Sequence, residues 1–168
     1  MNDIVIAAEK NIRMKIELVL KFLEELANTL SKDVFSRVGL VIFSSYAFPI
    51  LDLTYNYYKI CEVYRIIRPL KGVPEPALGI YEAIDMIRDL DDGLADKRAI
   101  ALITSLSEKP RIPLVDALNY AKAQQVHLAI ATTNTEAPPW LPEDIARELV
   151  QLRSDNIFKI IKLIVSDN

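Results

Sequence analysis

Short, β-branched apolar runs alternate along this chain with stretches of helical period, and that alternation restricts its fold more than any single motif. Runs at 4–8, 38–43, 99–104 and 126–131 are apolar at nearly every position, Thr104 and His127 being the polar exceptions, which suits strands covered on both faces. Between the first two, Ile16, Val19, Leu20, Leu23, Leu26, Ala27 and Leu30 recur at helix spacing, with Lys15, Glu17, Lys21, Glu24 and Glu25 mostly on the other side. A helix is therefore predicted from Met14 to a point between Ser31 and Asp33. Further helices are predicted over 56–67, stopped by Pro69, and over 77–90, 113–124 and 143–153. The segment 157–165 reads as a last strand or a strand running into a tail. Residues 48–53 follow the second run after a four-position turn at 44–47, too short for a parallel crossover, so this pair is an antiparallel hairpin at a sheet edge. Together these elements predict an α/β fold that is doubly wound. Its central sheet is mostly parallel with one antiparallel edge strand, and helices cover both faces.

The length of 168 residues fits a single domain over 1–168 with a core large enough to need no metal or disulfide. A formal charge of -3 provides no broad basic field for phosphates, so direct nucleic acid binding is not expected. Cys61 is the only cysteine and His127 the only histidine, which removes intrachain disulfides and cysteine- or histidine-built zinc sites. Cys61, in mid-helix, reads as a small buried hydrophobe, and His127 as a half-buried sheet residue. The start, MNDIVIAAEK, lacks a basic segment ahead of a long apolar stretch and does not read as a signal peptide. The longest uncharged run, 38–51, is interrupted by Ser44, Ser45 and Pro49 and is too short to span a bilayer. A cytoplasmic or otherwise intracellular protein without membrane contact is the expectation.

In an open parallel sheet, ligands sit outside the carboxyl ends of the strands. That rule selects the segments 9–13, 70–76, 105–108 and 132–140. The first of these, EKNIR, has no glycine with which a backbone could approach a phosphate, and the chain's 4 glycines follow neither the first nor the central strand. Ser105 and Ser107 follow a strand but stand in no nucleophile elbow. A small α/β enzyme using Glu9, Glu108 and a serine as acid/base groups on this face is the alternative of a different class.

The order of elements, with DIVIA opening the first strand, RVGLVIFSS the second, and LDLT leading through RPLKGVPEP into GIYEAI, resembles a von Willebrand factor A domain from about Asp3 to Phe158. Many members of that family hold a divalent cation at a metal-ion-dependent adhesion site. Its pattern is Asp-x-Ser-x-Ser after the first strand, a threonine before a later helix and an aspartate after the central strand. Here the first motif falls on Glu9, Lys10, Asn11, Ile12 and Arg13. The threonine falls in the stretch 74–76, which has none, and the aspartate falls on Ser105. The resemblance thus implies a degenerate site at Glu9, Asn11, Arg13 and Ser105, with no metal and no cofactor. Lys10 and Arg13 bring positive charge where a hard cation needs carboxylate oxygens. Arg13 either turns its guanidinium to the cation position, pairing with Glu9 or Ser105, or faces water. A metal-dependent adhesion module with altered ligands is the remaining alternative.

Within the family, GVPEPALGIYEAIDMI and AIALITSLSEKP resemble the domain in the helicase-partner subunit of the general transcription and repair factor. The metal-free layout is also similar to that in the ubiquitin-receptor subunit of the proteasome. The zinc-binding and ubiquitin-binding additions of those subunits have no counterpart here. The resemblance implies a non-enzymatic scaffold that binds protein partners in a multisubunit complex through the carboxyl edge of its sheet. Lys10, Pro74, Glu75, Glu108 and Trp140 are the candidate contact residues. Trp140, framed by prolines in APPWLPED, is either an exposed anchor or a lid on the domain's own core. In YNYYKICEVY, Tyr64 is expected inward, and Tyr55, Tyr57 and Tyr58 on the outer sheet edge.

Overall fold

The chain is described by a computed structural model covering residues 1–32 and 35–166. Its elements are β1 (Asn2–Glu9), α1 (Ile16–Leu30), β2 (Ser36–Phe43), β3 (Ala47–Thr54), α2 (Lys59–Ile66), α3 (Pro76–Asp89), β4 (Lys97–Thr104), α4 (Leu114–Ala123), β5 (His127–Thr132), α5 (Glu143–Glu148), β6 (Leu149–Gln151) and α6 (Ile157–Val165). The strands form one six-stranded sheet in the order β3-β2-β1-β4-β5-β6, parallel except for β3 against β2. The proposed α1 end at Asp33 and the last two residues of the tail lie outside the described residues.

Strand periodicity divides the core. Ile4, Ile6 and Ala8 of β1 face α1, α2 and α6, whereas Val5 and Ala7 face α3 and α4. Both faces of β1 are covered, which is why its run is apolar without alternation. Asp3 is the exception inside β1: it is fully buried and accepts a bidentate pair of bonds from Arg37 Nε and Nη2, each 2.8 Å, on the neighbouring strand. The edge strand β3 carries Pro49, and its pairing with β2 shifts register between Val38 and Val41, both of which suit an edge. Gly79 lets α3 close on β2, since a Cβ there would lie 2.7 Å from the ring of Phe43.

Two elements differ from expectation. The predicted helix over 143–153 ends at Glu148, and Leu149–Gln151 turn into β6 to complete the sheet edge. The segment 157–165 is a helix, α6, with Ile157, Ile160, Ile161 and Ile164 buried at 3.6-residue spacing. Its β-branched content argued for a strand, but burying one isoleucine stripe against β4 and β5 outweighs that propensity. Because β6 reaches only Ile130 to Thr132, the start of β5 has no outer strand partner among the described residues, and His127 is exposed. Tyr57 also departs from the edge-cover expectation: it is buried and donates to the carbonyl of Ser36 at 2.5 Å, while Tyr55 and Tyr58 are exposed.

Strand order reverses between β1 and β4. Their carboxyl ends therefore diverge into loops on opposite faces, and the crevice between them is where this topology places a site.

Candidate functional site

Glu9 is the last residue of β1 and is fully buried. Its Oε1 accepts from Thr104 Oγ1 at 3.0 Å and from the Ser105 amide at 3.1 Å, and its Oε2 accepts from Ser105 Oγ at 2.7 Å. Burial pushes the carboxyl above the ordinary glutamate value, and the Ser105 and Thr104 donors offset part of that rise. Ser105 Oγ also lies 3.0 Å from Ser107 Oγ. Leu106, between them, has φ 48 and a buried side chain.

The neighbouring side chains turn away from Glu9. Lys10 is buried and sends its ammonium to the carbonyl of Tyr64, with Arg65 O at 3.5 Å and the Tyr64 ring centroid at 4.4 Å. These carbonyls are unpaired ends of α2, so the cation serves as its C-terminal cap. Burial lowers the Lys10 pKa. The Tyr64 hydroxyl in turn donates to Glu9 O at 2.9 Å. Asn11 Nδ2 donates to Ser44 Oγ and Gly72 O, both at 3.0 Å, and its Oδ1 accepts from the Arg13 amide at 3.1 Å. Arg13 reaches neither Glu9 nor Ser105 through its guanidinium; it forms an ion pair with Glu108 at the surface.

The candidate contact residues fare unevenly. Lys10, Pro74 and Glu75 are buried, so none presents a side chain to a partner. Glu75 accepts from the amides of Arg111 at 2.9 Å and Ile112 at 3.1 Å and so fastens the β4–α4 loop to the start of α3. Glu108 is half-buried beneath Arg13. Trp140 lies between the two alternatives: part of it packs on the α3 and α4 side of the core, and the rest lines an apolar recess of about 300 Å³ with Arg111 and Leu141. Sequence reasoning located the segments but missed Thr104, Ser44 and Tyr64, whose types carry no motif. Only the strand-end rule pointed near them.

Two open recesses flank Arg13. One, about 420 Å³, is bounded by Asn11, Ile12, Lys71, Val73 and Glu108; the other, about 250 Å³, by Ser105, Ser107, Thr133 and Asn134. Among the described residues, no buried side-chain polar atom lacks a hydrogen-bond partner, and no group of three or more acid, histidine or cysteine side chains is placed to hold a metal ion. No helix of the described residues is long and apolar enough to cross a membrane.

No family model and no curated protein matches the chain in sequence. Solved structures do. Conserved hypothetical protein BatB from Bacteroides thetaiotaomicron shares 18% identity over 97% of each chain, with a TM-score of 0.77. An aerotolerance-related membrane protein from Bacteroides fragilis shares 17% over 98% of this chain and 96% of that one, with a TM-score of 0.74. The von Willebrand factor domain of a type V pili tip protein from Porphyromonas gingivalis shares 17% over 61% of this chain and 36% of that one, with a TM-score of 0.53. The expected cytoplasmic or intracellular setting is corrected by these likenesses, which run to a membrane protein and a pilus tip protein and point away from it. Sheet order, the antiparallel edge strand and the agreement with these structures establish that the chain has a von Willebrand factor A-like fold.

Proposed function

We propose that this domain is a non-enzymatic protein-interaction module of a larger assembly, that it works through the carboxyl edge of its sheet, and that it does so without a divalent cation. The observation that carries the reading is the burial of Glu9 among donors. Both of its carboxyl oxygens accept from the end of β4 and the side chain is fully buried, so the residue at the family's first ligand position presents no oxygen at the surface. A hard cation would need at least one such carboxylate to offset its charge. Asn11 spends its amide oxygen on the Arg13 backbone, and Arg13 closes over the crevice onto Glu108. The donor set therefore does not fit a metal. The same bonds weaken the enzyme alternative, because Glu9 is sealed and Glu108 is engaged by Arg13.

The similar structures support an interaction role: one is the von Willebrand factor domain of a pilus tip protein, and none of the three is described as an enzyme. Two measurements test the proposal. Calorimetric titration with magnesium and manganese is expected to show no saturable heat; binding at micromolar to low millimolar levels would overturn the cation-free reading. Photo-crosslinking groups at positions 12 and 140, on the carboxyl edge, are expected to capture partner protein in the native source. The same group at position 94, before β4 on the opposite edge, is expected to capture none. Equal capture at both edges, or capture only at 94, places the interaction elsewhere.

A further inference from the structure

Three exposed apolar side chains stand together on one half of the carboxyl edge. Ile12, Tyr46 and Ile66 are 73%, 70% and 75% exposed. Single exposed apolar residues are ordinary, but these sit on two loops and the last residue of α2, which are stitched into one platform. Asn11 bridges to Leu70 in parallel pairing and binds Ser44 and Gly72 through its side chain. Ser45 Oγ donates to Lys71 O at 3.1 Å, Ser44 N donates to Tyr46 O at 2.9 Å, and the Lys10 ammonium holds the end of α2, where Ile66 lies. Gly72, at φ 97, makes the close approach possible, since a Cβ there would fall 2.7 Å from Ser45. The platform is thus ordered before any partner arrives, which lowers the cost of binding.

Its charge is one-sided. Arg65 in the last turn of α2, and Arg68 and Lys71 on the connection that follows, are exposed, and none of them is in an ion pair among the described residues. Between Glu62 and Glu75 the chain has no acid at all, although it carries 23 acids against 20 basic residues overall. Glu108, which lines the same recess as Lys71, is held by Arg13, and Glu62 of α2 pairs with Lys59. Ile12 and Lys71 both line the open recess of about 420 Å³.

We infer that the occupant of this platform is an acidic protein segment with apolar anchors, its carboxylates meeting Arg65, Arg68 and Lys71 and its apolar side chains covering Ile12, Tyr46 and Ile66. The complementarity is electrostatic at the rim and apolar at the centre, the arrangement that fixes register while leaving no buried charge unpaired. This rests on the proposed interaction role and names the chemistry of its partner.

Selection of short random peptides displayed on phage against the immobilised domain tests it. Enrichment of sequences rich in Asp and Glu with interspersed Leu, Ile or Phe supports the inference, provided the selected peptides, in fluorescence anisotropy, bind roughly tenfold or more weakly to the Arg65→Glu/Arg68→Glu/Lys71→Glu variant. They are also expected to weaken with the Ile12→Ser/Ile66→Ser variant, which leaves the charges in place. Neutral or basic selections, no enrichment, or acidic peptides indifferent to both variants overturn it. So does binding to phosphatidylserine vesicles that displaces the selected peptides, because the platform is then a lipid surface. If the peptides fail while crosslinking at position 12 or 140 still captures a partner, the interaction role stands and only this partner chemistry falls.

Discussion

Ser105 Oγ donates to Oε2 of Glu9 across 2.7 Å, tying the end of β4 to the end of β1 at the point where the strand order reverses. The bond satisfies a buried carboxylate inside the domain and uses the one serine hydroxyl that occupies the family's aspartate position. Replacing Ser105 with Ala strips Glu9 Oε2 of its hydroxyl donor and is expected to cost about 1–3 kcal/mol in urea unfolding.

Glu9 itself makes stability depend on pH. Burial raises its carboxyl above the ordinary value of 4.5, so the native state holds this proton more tightly than the unfolded chain does. Its contribution is fully present below 4.5, where both states are protonated, and declines as pH rises from there through the raised native value. The Glu9→Gln variant keeps the hydrogen-bonding shape without the charge. Its Tm is expected to equal or exceed that of the parent above this window and to lose the part of the decline due to Glu9; an unchanged profile of Tm against pH would show that Glu9 does not titrate differently in the two states.

Lys10 is expected to behave as a structural cap and not as a contact residue. Lys10→Met removes the cation from the α2 carbonyl end while filling the space, at an expected cost of about 1–3 kcal/mol. Hydrogen exchange checks the location: amides over 64–70 should lose protection first, with those of β1 and β4 unchanged below global unfolding.

Gly79 offers a test of packing against propensity. Alanine within a helix is favoured over glycine by up to about 1 kcal/mol, yet at Gly79, in the first turn of α3, the new Cβ would meet the buried Phe43 ring at 2.7 Å. Ring displacement in a close-packed core is expected to win, leaving Gly79→Ala destabilised by about 1–3 kcal/mol in denaturant titration.

Arg13→Ala should behave oppositely. Its ion pair with Glu108 joins a side chain 56% exposed to one 34% exposed, and such pairs contribute about 1 kcal/mol or less. Unfolding of this variant is expected near the parent midpoint, so any loss of partner binding would report on contact and not on folding.

The sequence by itself determined the layered fold. Consecutive apolar residues such as Ile4, Val5, Ile6, Ala7 and Ala8 require cover on two sides, and the short span between Phe43 and Phe48 forces a hairpin. It also named the strand ends where a site would form, because the alternation makes most strands parallel and so gathers their carboxyl ends on one edge, whereas the strand order came from the tertiary structure. The end of the chain misled, since the isoleucines of α6 carry strand propensity and only the stripe they bury makes them helical. Tertiary structure alone decided what the charged residues after β1 do. Glu9, Lys10, Asn11 and Arg13 are adjacent in sequence, but their partners are Ser105, Tyr64, Gly72 and Glu108. No local pattern specifies a partner that folding brings from dozens of residues away. The net charge of -3 likewise hid the exposed cations at Arg65, Arg68 and Lys71, because a sum over the chain carries no record of which surface each charge occupies.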